Sequence, residues 1–111
     1  MKYPYQYKNP IQVILNMENK EHNIDNLKNM VEEMIEKKNS FSHYDFCKWF
    51  GNLFLKTVIY KSIKASAKEF DWIHHIDNDI DWIVDFEQIE EKAKDSFTFS
   101  QSILLQWLSL I

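Results

Sequence analysis

A chain of 111 residues with a net charge of -4 and 45% hydrophobic residues has apolar material for one core and too little length for two, which excludes wholesale disorder. One glycine and two prolines leave almost no tight-turn chemistry, so all-β and α/β architectures give way to a single compact all-α domain of about five to six helices spanning 1–111. All 13 basic residues are lysine; without arginine's bidentate fork, and with a negative net charge, direct nucleic-acid binding is disfavoured.

In chain order, Tyr3, Tyr5 and Tyr7 around Pro4 suggest an extended leader over 1–9, and Pro10 is placed to open a helix carrying Ile11, Ile14 and Leu15. Ile24, Leu27, Val31, Met34 and Ile35 fall on one helical stripe, with a start near Asn23 and an end near Asn39. Ser42 followed by Asp45 resembles a capping box that opens a central core helix bearing Phe46, Trp49, Phe50, Leu53, Phe54 and Val58. That helix either continues toward Ala65 and Ala67 or breaks near Ser62.

Trp72, Ile73 and Ile76 predict a short helix ended by Asp77-Asn78-Asp79, a run of turn and cap formers. A new helix then starts from Asp79, with Trp82, Phe86, Ile89 and Ala93 inward and with Asp79, Asp81 and Asp85 near its N-terminus, where the macrodipole favours them. On this register Trp82 belongs to the core and Trp72 to the surface. A last helix opens near Ser100 and buries Ile103, Leu104, Trp107 and Leu108.

Single cysteine Cys47 excludes an internal disulfide and fits a reducing cytoplasm; flanked by Phe46 and Trp49, it reads as a buried apolar thiol. No apolar run is long enough for a signal-peptide core or a membrane span. Asp77, Asp79, Asp81 and Asp85 match the acidic positions of an EF-hand loop, but Trp82 stands where the loop needs glycine and Gln88 where it needs a bidentate glutamate. Adjacent His74 and His75 point roughly 100° apart on a helix and do not share one ion unaided. His43 lies one helical turn from Cys47, but the chain offers no oxyanion loop, phosphate cradle or dinucleotide fingerprint. Neither metal, cofactor nor catalytic activity is therefore expected.

The largest deviation from an ordinary helical domain is its charge distribution. Nine of the 17 acids, Glu69, Asp71, Asp77, Asp79, Asp81, Asp85, Glu87, Glu90 and Glu91, fall between residues 69 and 91 without one lysine among them. Such a block repels itself, and with tryptophan interleaved it suits the steering and anchoring of a cationic partner. The expected partner-binding set is Asp71, Trp72, Asp77, Asp79, Asp81, Asp85, Glu87, Glu90 and Glu91.

In size, charge and helical content, with the stretch WIHHIDNDIDWIVDFEQIEE, the chain resembles the small acidic immunity proteins of bacterial competition systems, such as antidotes to nuclease colicins and contact-dependent growth inhibition toxins. That resemblance implies tight binding to a toxin's nuclease domain, with carboxylates in place of nucleic-acid phosphates. A phage-encoded nuclease inhibitor of the anti-CRISPR kind shares the same chemistry. A helical adaptor or homodimer module, pairing through apolar contacts, is the reading from another class.

Overall fold

The computed structural model describes residues 20–84 and 96–111, and within them every regular element is helical and no strand occurs. The leader over 1–9, the helix opened by Pro10 and the positions of Phe86, Ile89 and Ala93 lie outside the described residues. Among the described residues the α-helices are α1 (Ile24–Glu36), α2 (His43–Phe54), α3 (Ala67–Ile83) and α4 (Gln101–Ser109). A radius of gyration of 13.1 Å is that of a compact chain of this length.

Helix α1 begins where Asn23, in an extended conformation, accepts a hydrogen bond from the Asn26 amide at 2.7 Å. Leu27, Met30, Val31 and Met34 form its buried stripe. It ends at Glu36, three residues before the expected Asn39, because Lys37 turns left-handed (φ 59°) and Lys38 N–H reaches back to the Glu33 carbonyl at 2.9 Å. A lysine holds this conformation at some cost, since a side chain with Cβ disfavours it.

Helix α2 is the predicted central helix, capped by Ser42, whose hydroxyl accepts from the Asp45 amide at 3.0 Å. It is buried nearly all round: Phe46, Cys47, Trp49, Phe50, Leu53 and Phe54 are all in the core. Through Leu55–Ile59 the helix widens into one π-helical turn, in which Tyr60 N–H donates to the Leu55 carbonyl at 2.8 Å. Consecutive β-branched Thr57, Val58 and Ile59 weaken the α-helix there. The Ser62 and Ile63 amides then both turn onto the Lys56 carbonyl, so of the two readings the chain takes the break near Ser62.

Helix α3 corrects the sequence reading. It runs unbroken for 17 residues through Asp77-Asn78-Asp79, so no boundary stands there. The physical reason is burial: Trp72, Ile73, Ile76 and Ile80 form one apolar stripe across that point, and its gain exceeds the few tenths of a kcal/mol by which each Asp or Asn disfavours helix. Its start is a full capping box: Glu69 N–H donates to Ser66 Oγ at 3.1 Å, and Ser66 N–H to Glu69 Oε1 at 2.8 Å. The Ser-x-x-Glu signal for it, Ser66 to Glu69, stands in the sequence.

Helix α4 opens at Ser100 as expected and buries Leu104 and Trp107, while Ile103 and Leu108 are half-buried. It packs chiefly on α1 and also on α3; α2 touches both α1 and α3. Aromatic contacts knit the centre: Trp107 lies 6.2 Å from Phe46 and 5.0 Å from Phe99 between ring centroids.

Candidate functional site

On a continuous α3, at 100° per residue, the stripe of Trp72, Ile73, Ile76 and Ile80 covers about 100° and Trp82 falls roughly 135° from its centre, so Trp82 points away from the inner face. The structure gives the two tryptophans the reverse of their expected places. Trp72 is 1% exposed and its indole N–H donates to the Trp107 carbonyl at 2.6 Å, deep in the core. Trp82 is 84% exposed, with Ile83 beside it at 40%. Trp72 is therefore removed from the partner-binding set, and Trp82 is the tryptophan of α3 that faces outward.

The aspartates divide the same way. Asp77 is 7% exposed, on the inner side of the helix, and offers no surface to a partner. Asp79 is half-buried: its Oδ2 accepts the Trp107 indole N–H at 2.8 Å and lies 3.3 Å from His75 Nε2. It is a tie between α3 and α4. Only Asp71 and Asp81 of the described set are exposed, sharing the outer side of α3 with His74, Asn78 and Trp82. Asp85, Glu87, Glu90 and Glu91 lie outside the described residues.

Continuity of the helix also inverts the dipole argument. Asp79 and Asp81 sit in the last turns of α3, not its first, and no basic residue occupies the last turn. Carboxylates at the negative end of a helix are unfavourably placed. Desolvation by its surroundings raises the Asp81 carboxyl above the usual carboxylate range, although the residue is exposed as a whole. Both observations say that the charged form of Asp81 is disfavoured in the folded chain.

The histidines serve the fold. His74 packs its ring 5.3 Å from Phe54 and 4.7 Å from Phe70. His43 accepts the Phe99 amide on Nδ1 at 2.9 Å rather than facing Cys47 as a base, and burial lowers its pKa. Cys47 is fully buried and burial drives its thiol far up, so it is no nucleophile. Among the described residues no three His, Cys, Asp or Glu side chains come together as metal ligands. No helix among them is long and apolar enough to cross a membrane.

His22 stacks on Trp49 at 5.3 Å, with Nδ1 2.9 Å from the Lys56 ammonium. Burial first, and Lys56 second, lower its pKa to about 4. A folded value below the unfolded one means that stability is complete above pH ~6.5 and falls as the unfolded chain takes up a proton that the folded chain refuses, down to about pH 4. After discounting for partial exposure the loss is on the order of 2 kcal/mol. Urea midpoints measured across that range should decline in the wild type and decline distinctly less in His22→Phe, which keeps the stacking; identical slopes would refute this origin of acid lability.

No known family matches the chain, and no curated protein or solved structure is significantly similar to it.

Proposed function

We propose that this chain is a small acidic inhibitory binding protein, a cytoplasmic domain of five to six helices of the immunity type. It binds and neutralises a cationic, nuclease-type toxin domain through the outer face and C-terminal end of α3. The observation that carries this reading is Trp82, 84% exposed beside Asp81, at a helix end whose negative dipole nothing on the helix offsets, inside a lysine-free acidic window. A large indole left in water beside disfavoured carboxylates costs the isolated domain stability and suits a partner that brings apolar surface and positive charge together. Asp71 and Asp81, with Asp85, Glu87, Glu90 and Glu91 from the same window, take the part of nucleic-acid phosphates. The phage-encoded inhibitor differs from this only in whose nuclease is blocked.

Two measurements test it. Asp81→Asn removes a charge from the wrong end of a helix, so the domain should gain about 0.3–1 kcal/mol in urea unfolding. The same variant should capture less of a basic nuclease from the source cell. Wild-type capture should be strong at about 0.05 M salt and largely lost at about 0.5 M, where the screening length has fallen to a few ångströms. Salt-independent capture that survives Asp81→Lys, and disappears when exposed Leu105 or Leu110 is changed, would favour the apolar adaptor reading and overturn this one.

A further inference from the structure

Two adjacent blocks of the sequence, equal in length, carry opposite charge. Residues 46–68 hold five lysines and no acid, and residues 69–91 hold nine acids and no lysine, so +5 stands directly before -9. Lys48 of the basic block is buried, while Lys56, Lys61, Lys64 and Lys68 are exposed. The basic block also brings apolar side chains to the surface, as the acidic one does. Its π-helical turn Leu55–Ile59 leaves Ile59 54% exposed and Tyr60, next in the chain, 65% exposed.

This turn stands beside the first turns of α3, because the rings of Phe54 and Phe70 pack on the same His74, at 5.3 and 4.7 Å between centroids. The chain then folds back, with the Ser62 and Ile63 amides on the Lys56 carbonyl, and Lys64 and Lys68 flank the Ser66 cap of α3. Lys61 lies in the left-handed region (φ 55°), a conformation that a Cβ disfavours. Helix α3 therefore has a basic end, with exposed Ile59 and Tyr60, and an acidic end, with exposed Asp81, Trp82 and Ile83. From Lys68 to Asp81 the helix rises about 20 Å.

We propose that the chain pairs with a second copy of itself, the acidic Trp82 end of each against the basic Tyr60 end of the other. Either end repels its own like in a second copy, and the opposite end supplies both the charge and the apolar surface that it lacks. A two-fold pair closes both contacts together, whereas one contact per copy leaves the outer ends open to further copies. Burying the exposed parts of Ile59, Tyr60, Trp82 and Ile83 in both copies removes roughly 1,000 Å² from water, the lower bound of specific interfaces and the range of reversible ones. The pair covers Trp82 and so excludes the toxin domain proposed above. It forms from this chain alone and is tested without a toxin, so either proposal can fail without the other.

Sedimentation of the full chain between about 10 μM and 1 mM should show a reversible dimer at about 0.05 M salt, at least about tenfold weaker at about 0.5 M, where charges are screened beyond a few ångströms. Asp81→Lys should weaken the dimer, and so should the double variant Lys64→Glu with Lys68→Glu, whose second change puts an acid in the first turn of α3, where the dipole favours it. Mixed in equal amounts, these two variants present opposite charges at both contacts and should associate more tightly than either does alone. Lys61→Gly should weaken pairing several-fold and unfold at no lower temperature than the wild type, since glycine takes the left-handed conformation freely. A wild type that stays monomeric at about 1 mM would overturn the proposal, as would a dimer of equal strength in both salts. Folded charge variants whose mixture associates no more tightly than either alone would overturn it too, and species growing beyond the dimer would overturn the two-fold closure.

Discussion

Replacing Trp107 by alanine should destabilise the domain by about 3–5 kcal/mol, the range for removing a large buried aromatic side chain. Three functions meet at this residue. Its ring, wholly buried, stacks near Phe46 and meets Phe99 edge to face; its indole N–H binds Asp79; its carbonyl receives the Trp72 indole N–H. Alanine keeps only the carbonyl, so Asp79 loses its donor and the Phe46–Phe99 contact loses its third ring. Because a domain of this size is stable by only about 5–15 kcal/mol, such a loss is a large fraction of its margin. Trp107→Phe separates the contributions: the ring contacts survive and the loss should shrink to roughly 1–2 kcal/mol, the worth of the hydrogen bond to a half-buried carboxylate. A loss under about 1 kcal/mol for Trp107→Ala in urea unfolding would contradict the packing described here.

The opposite behaviour is expected of Trp82, and the contrast between the two tryptophans is the sharper result. With 84% of its surface in water, Trp82 makes little contact whose removal the fold would feel, so Trp82→Ala should leave stability within about 0.5 kcal/mol of wild type. In the proposed complex it would serve as an anchor: a large rigid apolar ring, with exposed Ile83 alongside and acids that would steer a cationic partner toward it. Truncating such a residue at the centre of an interface costs about 2 kcal/mol or more, or about 30-fold in affinity. Trp72→Ala should fail in the other way, lowering stability by about 3–5 kcal/mol because it empties a core position.

Helix class, the stripe of α1, the aromatic core of α2 and the Ser100 start of α4 were all legible in the sequence, since each rests on local periodicity and a local cap. The face of α3 was not. Asp77-Asn78-Asp79 carries the residue types that end helices, and a boundary placed there resets the register by which every later residue is assigned inward or outward. Tertiary burial of Ile76 and Ile80 overrode that local signal, and one error of continuity exchanged the places of Trp72 and Trp82. The capping box at Ser66 and Glu69 points to a single helix starting at Ala67, and 100° per residue along it turns Trp82 away from the Ile76 and Ile80 stripe. The ties of Asp79 to Trp107 and of His43 to Phe99 join residues far apart in sequence, and spacing alone carries no signal for them.

Fewer members of the acidic window face outward than the sequence suggests. Asp77 and Asp79 belong to the fold, while Asp71 is exposed near the start of α3 and Asp81 is exposed with Trp82 at its C-terminal end, which Asp81 makes less stable. A site that costs the isolated domain stability is the pattern expected where a partner supplies the compensation. The measurement that bears on this most directly is the affinity of the purified basic partner for wild type and for Trp82→Ala, at low salt, with thermal unfolding of both proteins recorded in the same buffer. At least about 30-fold weaker binding by a variant that unfolds at the wild-type temperature is the predicted result; affinities within about twofold of each other would show that the exposed end of α3 is not the binding face.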